Sequence, residues 1–371
     1  MKKSTSKVVR IKRAVIVPTG DAVCGLDLGD EDSVVCLIDK ATGEKVGEAR
    51  VETTRREMTA FFSAYAPMRI ALEVGTHSPW VSRLLSALGH EVIVANARKV
   101  RLISQNRNKN DRIDAEVLAR LARLDPNLLA PIQHRGAQAQ ADLAVLRSRN
   151  ALVKARTGLV NHVRGVVKAT GHRLPRTHTE AFAARARTSL PPELMVALAP
   201  VLETIASLSV TIQRYDEQLS TLAAERYPET AFLLQVPGVG PLTATAFVLT
   251  IEDPARFRKS RSVGAYFGLV RARRQSGDHD PELHISKTGD PLTRRLLVSC
   301  AQHILGRFGQ DCDLRRYGLA LAAGGSRKAR KRAVVAVARK LAVLLHRLWV
   351  DQATYDPFHN LNRVARAHHA A

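Results

Sequence analysis

Four carboxylates in the first third of the chain have the types and spacing that phosphoryl-transfer chemistry requires. Asp27 and Glu73 each stand in a short apolar run, and Asp111 and Asp114 are spaced so that a helix would place both on one face. Carboxylates among buried strand residues are costly unless a cation compensates them. Such acids can hold two Mg²⁺ ions, which clamp the attacking and leaving oxygens of a phosphoryl transfer. The plainer alternatives are a helix N-cap for Asp111 and a strand-ending turn for Asp27.

A basic loop in the last third of the chain contains a candidate nucleophile, Ser276. A serine oxygen that attacks phosphorus needs the developing charge to be stabilised. Ser276-Gly277 is also an ordinary turn dipeptide, so the residues alone leave the nucleophile open. The other candidate serines are Ser262 and Ser286, and the candidate charge-stabilising cations are Arg271, Arg273, Arg274 and Lys287.

The segment Val236-Pro-Gly-Val-Gly-Pro241 lies between two apolar helical stretches and resembles a helix-hairpin-helix DNA-binding element. Gly238 and Gly240 permit a tight turn, and backbone N–H groups at the start of the next helix can hold a phosphate. A plain turn between helices is the alternative. Seven Lys and Arg without an acid between Arg256 and Arg274 favour phosphate binding. Other candidate nucleic-acid contacts are Arg107, Lys109, Arg112, Arg294 and Arg295.

The composition also favours a nucleic-acid partner. The chain has 371 residues, enough for two or three domains, with 45% hydrophobic residues and a formal net charge of +23. Such a charge repels itself in a compact state unless a polyanion offsets it, and nucleic-acid phosphates reward Lys and Arg contacts through counterion release. A basic protein that is merely soluble is the alternative.

Cysteine usage and hydropathy predict a cytoplasmic protein. Cys24, Cys36, Cys300 and Cys312 lack metal-ligand spacing, so we expect reduced core residues. No uncharged apolar run reaches 18 residues, so no transmembrane helix is expected. The first 13 residues carry six Lys and Arg and no acid, so residues 1–21 are predicted to form a flexible arm that contacts a phosphate backbone.

Residues 22–136 alternate between strand and helix signals. The patterns predict strands over 23–28, 33–38, 45–51, 69–74 and 91–95, and helices over 55–65, 79–88 and 111–124. Three strands followed by alternating helices and strands give an α/β layer architecture with a mixed sheet. This order of elements is that of the ribonuclease-H-like, or RuvC-like, fold.

The remainder of the chain is predicted to be mainly helical. Residues 137–228 should form two long helices, and apolar residues from Leu198 to Leu222 recur at spacings of 3 and 4, typical of a coiled-coil seam. The two helices could pack on each other or on another subunit. Residues 229–350 should form a mainly α C-terminal domain whose last helix begins near Ser326, and residues 351–371 a tail.

Several of these motifs resemble the DEDD-type insertion-sequence transposases, family one-hundred-ten of the insertion sequences. The run Asn108-Lys-Asn-Asp-Arg-Ile-Asp-Ala115 is similar to that family's signature, and Gly25-Leu-Asp27 and Leu72-Glu-Val-Gly75 resemble its first two acidic motifs. The stretch Val236–Leu305 resembles its C-terminal domain. One departure is Asp30, which stands near the place where the family usually has a lysine.

The resemblance implies a function for each constellation. The four acids would bind Mg²⁺ in a RuvC-like domain, and Ser276 would be the nucleophile that forms a transient covalent link to DNA, in a site composed with those acids. It further implies a guide RNA encoded by the element (the bridge-RNA type of recombinase), a dimer that pairs into a tetramer on nucleic acid, and a bacterial, nucleoid-associated location. No P-loop occurs, as expected for a reaction that needs no ATP.

Two other functions share part of these features. A metal-dependent nuclease, such as a junction resolvase, would use the acids and an activated water but not Ser276. A non-enzymatic nucleic-acid-binding protein would need neither, so Mg²⁺ independence would favour it.

Overall fold

A computed structural model of the chain describes residues 21–96, 110–277, 280–281 and 283–360. It divides into two compact units, Met1–Arg135 and Gly136–Ala371, and each is described by itself. The expected basic arm, up to residue 20, and the end of the expected tail, residues 361–371, lie outside the described residues.

The first unit contains a five-stranded mixed sheet. Its strands are β1 (Ala22–Asp27), β2 (Asp32–Asp39), β3 (Lys45–Glu52), β4 (Arg69–Glu73) and β5 (Glu91–Ala95), in the order β3-β2-β1-β4-β5. β1, β2 and β3 form an antiparallel meander, whereas β4 and β5 run parallel to β1. The expected α/β architecture is confirmed, and this arrangement is compatible with a RuvC-like fold.

Helices cover both faces of this sheet. On one face, α1 (Arg55–Phe62) and α2 (Ser78–Ala87) bury Met58, Phe62 and Leu85 against the strands. On the other face, α3 (Asp111–Leu124) buries a stripe of small and apolar residues, Ala115, Leu118, Ala119 and Ala122. The central strands β1, β2 and β4 are buried on both faces because each of their two side-chain rows meets a helix layer.

The two outer strands of the sheet are protected in different ways from pairing with a strand of another molecule. β3 carries alternating charged residues, of which Lys45 and Glu48 form an ion pair. Glu48 also pairs with Arg112 of α3 at 2.8 Å. β5 is covered by an antiparallel bridge between Val94 and Ile132. Neither outer strand therefore presents an open apolar edge.

The second unit begins with a pair of long helices, α4 (Ala137–Ala169) and α6 (Pro192–Arg226). They pack along each other within one chain, and Arg149 of α4 forms a two-pronged ion pair with Asp216 of α6 at 2.8 and 3.0 Å. The apolar seam buries Leu198, Ile205, Ile212 and Leu219. A short helix, α5 (Phe182–Ser189), lies in the segment expected to join the two long helices and packs on α6.

Helix α6 is the one helix of the described part of the chain that is long and apolar enough, by length and composition alone, to cross a membrane. Core helices of soluble proteins meet the same criteria. Its ion pair with α4 and its buried seam are those of a packed helix.

Among the described residues of the second unit, six further α-helices surround its core: α7 (Thr230–Leu234), α8 (Pro241–Ile251), α9 (Val263–Tyr266), α10 (Pro291–Leu305), α11 (Asp313–Ala322) and α12 (Arg327–Asp351). The core is centred on Phe247 and Phe267, whose ring centroids lie 5.3 Å apart. Asp290 and Ser326 cap the starts of α10 and α12 by accepting backbone N–H bonds, so each helix begins where its sequence supplies a cap.

Candidate active site

Asp27 and Glu73 lie at the carboxyl ends of two neighbouring parallel strands. The register pairs Leu26 of β1 with Leu72 of β4, and each acid is the next residue along its strand. Both side chains are half-buried. Since parallel strands end at the same edge of a sheet, the fold brings together two acids that are 46 positions apart in sequence (73 − 27).

Contacts at the far end of α3 fix the direction in which that helix crosses the sheet. Arg123 donates a 2.8 Å hydrogen bond to the carbonyl of Lys40, directly after β2, and Arg69, at the start of β4, donates to the carbonyl of Ala122 at 3.1 Å. The C-terminal end of α3 therefore lies where β1 and β4 begin. Its first turn, which carries both remaining acids, lies toward the edge where those strands end.

Gly25 sets how closely α3 approaches β1. A Cβ atom built at Gly25 would lie 1.8 Å from the carbonyl oxygen of Ala115 and 2.6 Å from the backbone nitrogen of Ala119. No other residue type leaves room for the helix backbone there. The small residue two positions before Asp27 thus holds the acidic turn of α3 against the strand.

The N-cap of α3 is Asn110, not Asp111. The side chain of Asn110 accepts a 3.1 Å hydrogen bond from the backbone N–H of Arg112. The alternative role considered for Asp111 is therefore wrong, because another residue fills it. Asp111 is exposed and Asp114 half-buried, and both still interact favourably with the helix dipole.

Four carboxylates toward one edge of a sheet form a donor set suited to a hard cation such as Mg²⁺. Within the described ranges, however, no group of three or more His, Cys, Asp or Glu side chains is arranged to hold a metal ion. The donor chemistry and the placement of the elements fit Mg²⁺, while the side chains do not close around one centre.

Ser276 lies in a loop carried by a short two-stranded ribbon of the second unit. The backbone N–H of Ala272 donates to the carbonyl of His284 at 2.9 Å, and the backbone N–H of Ser286 donates to the carbonyl of Val270 at 2.8 Å. Ser276 falls in the loop between these paired segments and is exposed. It is therefore accessible to a substrate.

Two glycines with positive φ form the base of this ribbon. Gly268 has φ +67° and Gly289 has φ +73°, and a Cβ atom on Gly289 would lie 2.0 Å from the carbonyl oxygen of Tyr266. The backbone segments thus approach too closely for side chains, which anchors the loop to the core of the unit.

The basic side chains near Ser276 differ in what they contact. Arg271 donates to a carboxylate oxygen of Asp280 at 2.8 Å, and Arg273 lies 3.6 Å from the same carboxylate. Asp280 was not singled out from the sequence. Arg274 and Lys287 are exposed, and Lys287 has φ +53°.

The remaining residues predicted to contact nucleic acid have different partners within the protein. Arg294 donates to the carbonyls of Phe267 and Thr288 at 3.1 and 2.6 Å, so it supports the ribbon. Arg295 donates to the side chain of Asn150 on α4. Arg112 pairs with Glu48 in the first unit. The predictions for Arg107 and Lys109 lie outside the described residues.

The Pro-Gly-Val-Gly-Pro segment forms a turn directly before α8. Gly238 has φ +92°, Gly240 occupies the N-cap position and Pro241 is the first helical residue. An open cleft of about 450 Å³ adjoins the turn, and its walls include Ser299 and His303 of α10. The start of α8 therefore faces a space that a phosphate could enter.

The other nucleophilic side chains are less suited to attack on phosphorus. The four cysteines are buried free thiols, and burial raises the pKa of Cys36 to about 11 and raises the pKa of Cys24 and Cys300. The thiols of Cys24, Cys36 and Cys300 are therefore protonated at neutral pH. Ser286 is half-buried and within 3.1 Å of the Thr288 hydroxyl.

Acids at the carboxyl edge of a mixed sheet and a basic serine-containing unit describe a DNA-processing enzyme. Residues 24–171 match a family profile described as a transposase, and residues 230–317 match the profile of the Transposase IS116/IS110/IS902 family. The transposase for insertion sequence element IS1328 of Yersinia enterocolitica is 30% identical over 291 residues, 76% of this chain and 84% of that protein. The transposase for insertion sequence element IS1111A of Coxiella burnetii is 27% identical over 343 residues, 90% and 91% of the two chains.

The chain therefore belongs to the IS110 family of insertion-sequence transposases, as the motifs predicted. A transposase is an enzyme that cuts and rejoins DNA, so DNA is its substrate. This excludes a purely non-enzymatic binding role.

Proposed function

We propose that this transposase cuts and rejoins DNA with Ser276 as nucleophile and with Mg²⁺ held by Asp27, Glu73, Asp111 and Asp114. The observation that carries the proposal is the placement of the acids. Two end neighbouring parallel strands, and two open a helix whose direction brings its first turn toward the same edge. A carboxylate at the half-buried end of a strand is stabilised by a compensating cation, which supports a metal at this edge of the sheet.

Bound Mg²⁺ would neutralise negative charge on the phosphodiester as it is attacked. The four carboxylates would hold a pair of Mg²⁺ ions at the edge of the sheet. Gly25 would contribute by keeping the first turn of α3 close to β1.

The serine step conserves the energy of the phosphodiester. The Oγ of Ser276 loses its proton and forms a bond to phosphorus, while the bond between phosphorus and one sugar oxygen breaks and that oxygen takes up a proton. Attack of another sugar hydroxyl on the serine ester reverses these changes and joins new ends. Arg274 and Lys287, both exposed on the same ribbon, would stabilise charge on the phosphate.

The basic second unit would hold the nucleic acid around this step. The turn at Gly238 and Gly240 would act as a helix-hairpin-helix-like phosphate contact, and Arg271, Arg273, Arg294 and Arg295 lie in the same unit. We further propose a guide RNA encoded by the element, and a dimer that pairs into a tetramer on nucleic acid. The family membership and the net charge of +23 support these proposals.

Trapping of a covalent adduct tests the nucleophile. The protein is incubated with element-end DNA and transcripts of the element, then denatured. The parent should yield a protein–DNA adduct, and Ser276→Ala should yield none. DNA affinity should stay unchanged because Lys and Arg contacts to phosphates supply most of it. Thermal stability should also stay unchanged, because removal of one exposed hydroxyl oxygen changes the free energy of unfolding by less than ~1 kcal/mol.

Peptide mapping of the adduct decides among the alternatives, with Ser286→Ala and Ser262→Ala as matched controls. An adduct on either of those serines would move the nucleophile. Cleavage without any adduct would instead support the second candidate function, a nuclease that uses the acids to activate water.

A further inference from the structure

The beginning of α12 carries an unusual concentration of positive charge. Arg327, Lys328, Arg330, Lys331 and Arg332 all lie within its first two turns, and all are exposed. Between Leu314 and Val350 the chain contains ten Lys and Arg and no Asp or Glu. The single carboxylate of α12, Asp351, stands at its opposite end and pairs with Arg347.

These cations oppose the local stability of the helix that carries them. The amino-terminal end of a helix has a partial positive charge, which disfavours Lys and Arg in the first turns. Like charges three and four residues apart repel each other, and four such pairs occur, 327/330, 328/331, 327/331 and 328/332. The helix starts here because Ser326 caps it and because residues from Ala333 onward are buried in the core.

Several residues that each destabilise the same exposed helix turn are typical of a surface kept for function rather than for stability. The charged residues of this turn make no contribution to the core, since burial begins at Ala333. A polyanion would remove both the mutual repulsion and the conflict with the helix dipole. The regular spacing along one helix suits a ligand with a regular series of charges, which a nucleic-acid backbone provides.

We infer that the surface formed by Arg327, Arg330 and Lys331 binds the phosphate backbone of duplex DNA, independently of its sequence. Its residues are different from those of the two-stranded ribbon that carries Ser276 and from those of the turn before α8. The inference rests on the function in DNA transposition, which makes duplex DNA the polyanion that the protein meets. It does not depend on the nucleophile or the metal.

The test compares the full chain with the triple variant Arg327→Gln, Arg330→Gln, Lys331→Gln. Glutamine keeps the helix propensity of these positions while removing three charges. Fluorescence anisotropy measures the Kd for a 30-base-pair duplex of random sequence across a salt series. Affinity should fall roughly tenfold to a hundredfold at ~0.1 M salt, and the salt slope should fall by about 2 to 3, since each neutralised phosphate contributes about 0.9.

The melting temperature without DNA shows whether these cations bind DNA or stabilise the fold. Without DNA and at low salt, the triple variant should melt at a higher temperature than the parent, because the repulsion is gone. A lower melting temperature would show that the cations stabilise the fold and would overturn the inference. Single Arg330→Gln should lower the salt slope by about 1, which keeps the test valid if the triple variant folds poorly.

A matched control removes the same charge elsewhere in the same unit. Arg173, Arg176 and Arg185 are exposed, and their triple change to Gln should reduce affinity much less. Equal losses in the two variants would mean that only net charge matters. A loss confined to a 30-nucleotide RNA probe, with duplex DNA bound normally, would show that RNA is the ligand. Adduct formation through Ser276 is measured separately, so failure of this inference leaves the nucleophile proposal intact.

Discussion

At the scale of single residues, the positions of two acids on the sheet decide what chemistry they could support. Asp27 and Glu73 are half-buried at the ends of strands whose central residues are buried in the core. Their positions at strand ends agree with the sequence prediction, whereas their role as metal ligands stays a prediction, based on the cost of a carboxylate beside buried apolar residues.

Metal linkage gives a direct prediction for these acids. Mg²⁺ that binds only the folded protein should raise its melting temperature, by the equivalent of about 2.7 kcal/mol at a concentration 100 times Kd. Asp27→Asn should abolish that shift without unfolding the protein, because metal-free carboxylates repel one another. Scanning calorimetry with and without Mg²⁺ measures the effect.

Glu44→Gln is the control for this prediction. Glu44 is an exposed acid in the turn between β2 and β3, away from the edge where β1 and β4 end. The rise in melting temperature that Mg²⁺ causes should be the same in Glu44→Gln as in the parent. A full Mg²⁺ shift retained by Asp27→Asn would show that Asp27 is not a ligand.

Other residues of the site could not be predicted from the sequence. Asn110 rather than Asp111 caps α3, because either residue satisfies the cap preference and only backbone geometry decides between them. Asp280 approaches Arg271 and Arg273 only through the pairing of the ribbon. Such contacts depend on tertiary structure rather than on local pattern.

At the scale of elements, Gly25 provides a test of how the site is assembled. Gly25→Ala should destabilise the first unit by about 1–3 kcal/mol or more, because the new methyl group meets the backbone of α3 at Ala115. Strand transfer should fall further than stability alone explains, since the acidic turn of α3 moves. Denaturant unfolding and a recombination assay together measure the two effects.

Gly75→Ala is the matched control, because a Cβ atom at Gly75 meets nothing within 4 Å. It should leave both stability and strand transfer nearly unchanged. Equal behaviour of the two variants would show that close packing of α3 on β1 is unimportant for the site.

The long helices give a second prediction at this scale. Ile205→Ala should cost about 2–5 kcal/mol, because Ile205 is fully buried in the cluster between α4, α5 and α6. Val196→Ala on the same helix should change stability by less than ~0.5 kcal/mol, since Val196 is 91% exposed. Equal losses would mean that the exposed face of α6 is also packed, as in an assembly.

Strong periodicity made most element boundaries predictable. The strand over 91–95 and the helix over 111–124 agree with β5 and α3 residue for residue, and the cap at Ser326 located α12. Helix α5 was missed because Phe182–Ser189 is short and lies within a stretch broken by Pro and Thr. Its stability comes from packing on α6 rather than from its own propensity.

At the scale of the whole molecule, buried histidines predict how stability depends on pH. His90 donates to the carbonyl of Phe62 and accepts from the backbone N–H of Met68. His346 contacts the carbonyl of Pro254 and the hydroxyl of Ser260 in the same manner. Both rings are satisfied when neutral, and burial lowers the pKa of each, although the carbonyl contacts partly oppose this.

A lowered folded-state pKa means that the unfolded chain binds protons first as the pH falls. Stability should therefore be complete above the unfolded pKa of about 6.5 and should decrease as the pH falls below it. Thermal melts at pH 7.5 and 5.5 measure this loss. His346→Gln should reduce the pH dependence, whereas His178→Gln, at an exposed position, should not. A parent protein equally stable at both pH values would contradict the prediction.

The outer strand β3 has a consequence for how the protein behaves when it is produced at high concentration. Its alternating charges, with Lys45 paired to Glu48, place ionic groups along the free hydrogen-bonding edge of the sheet. A second sheet that approached this edge would have to bury those groups, so edge-to-edge aggregation is disfavoured. Replacing Glu48 and Arg50 by Val would give the strand an apolar, amyloid-like edge, and the protein should then shift from the soluble fraction into inclusion bodies.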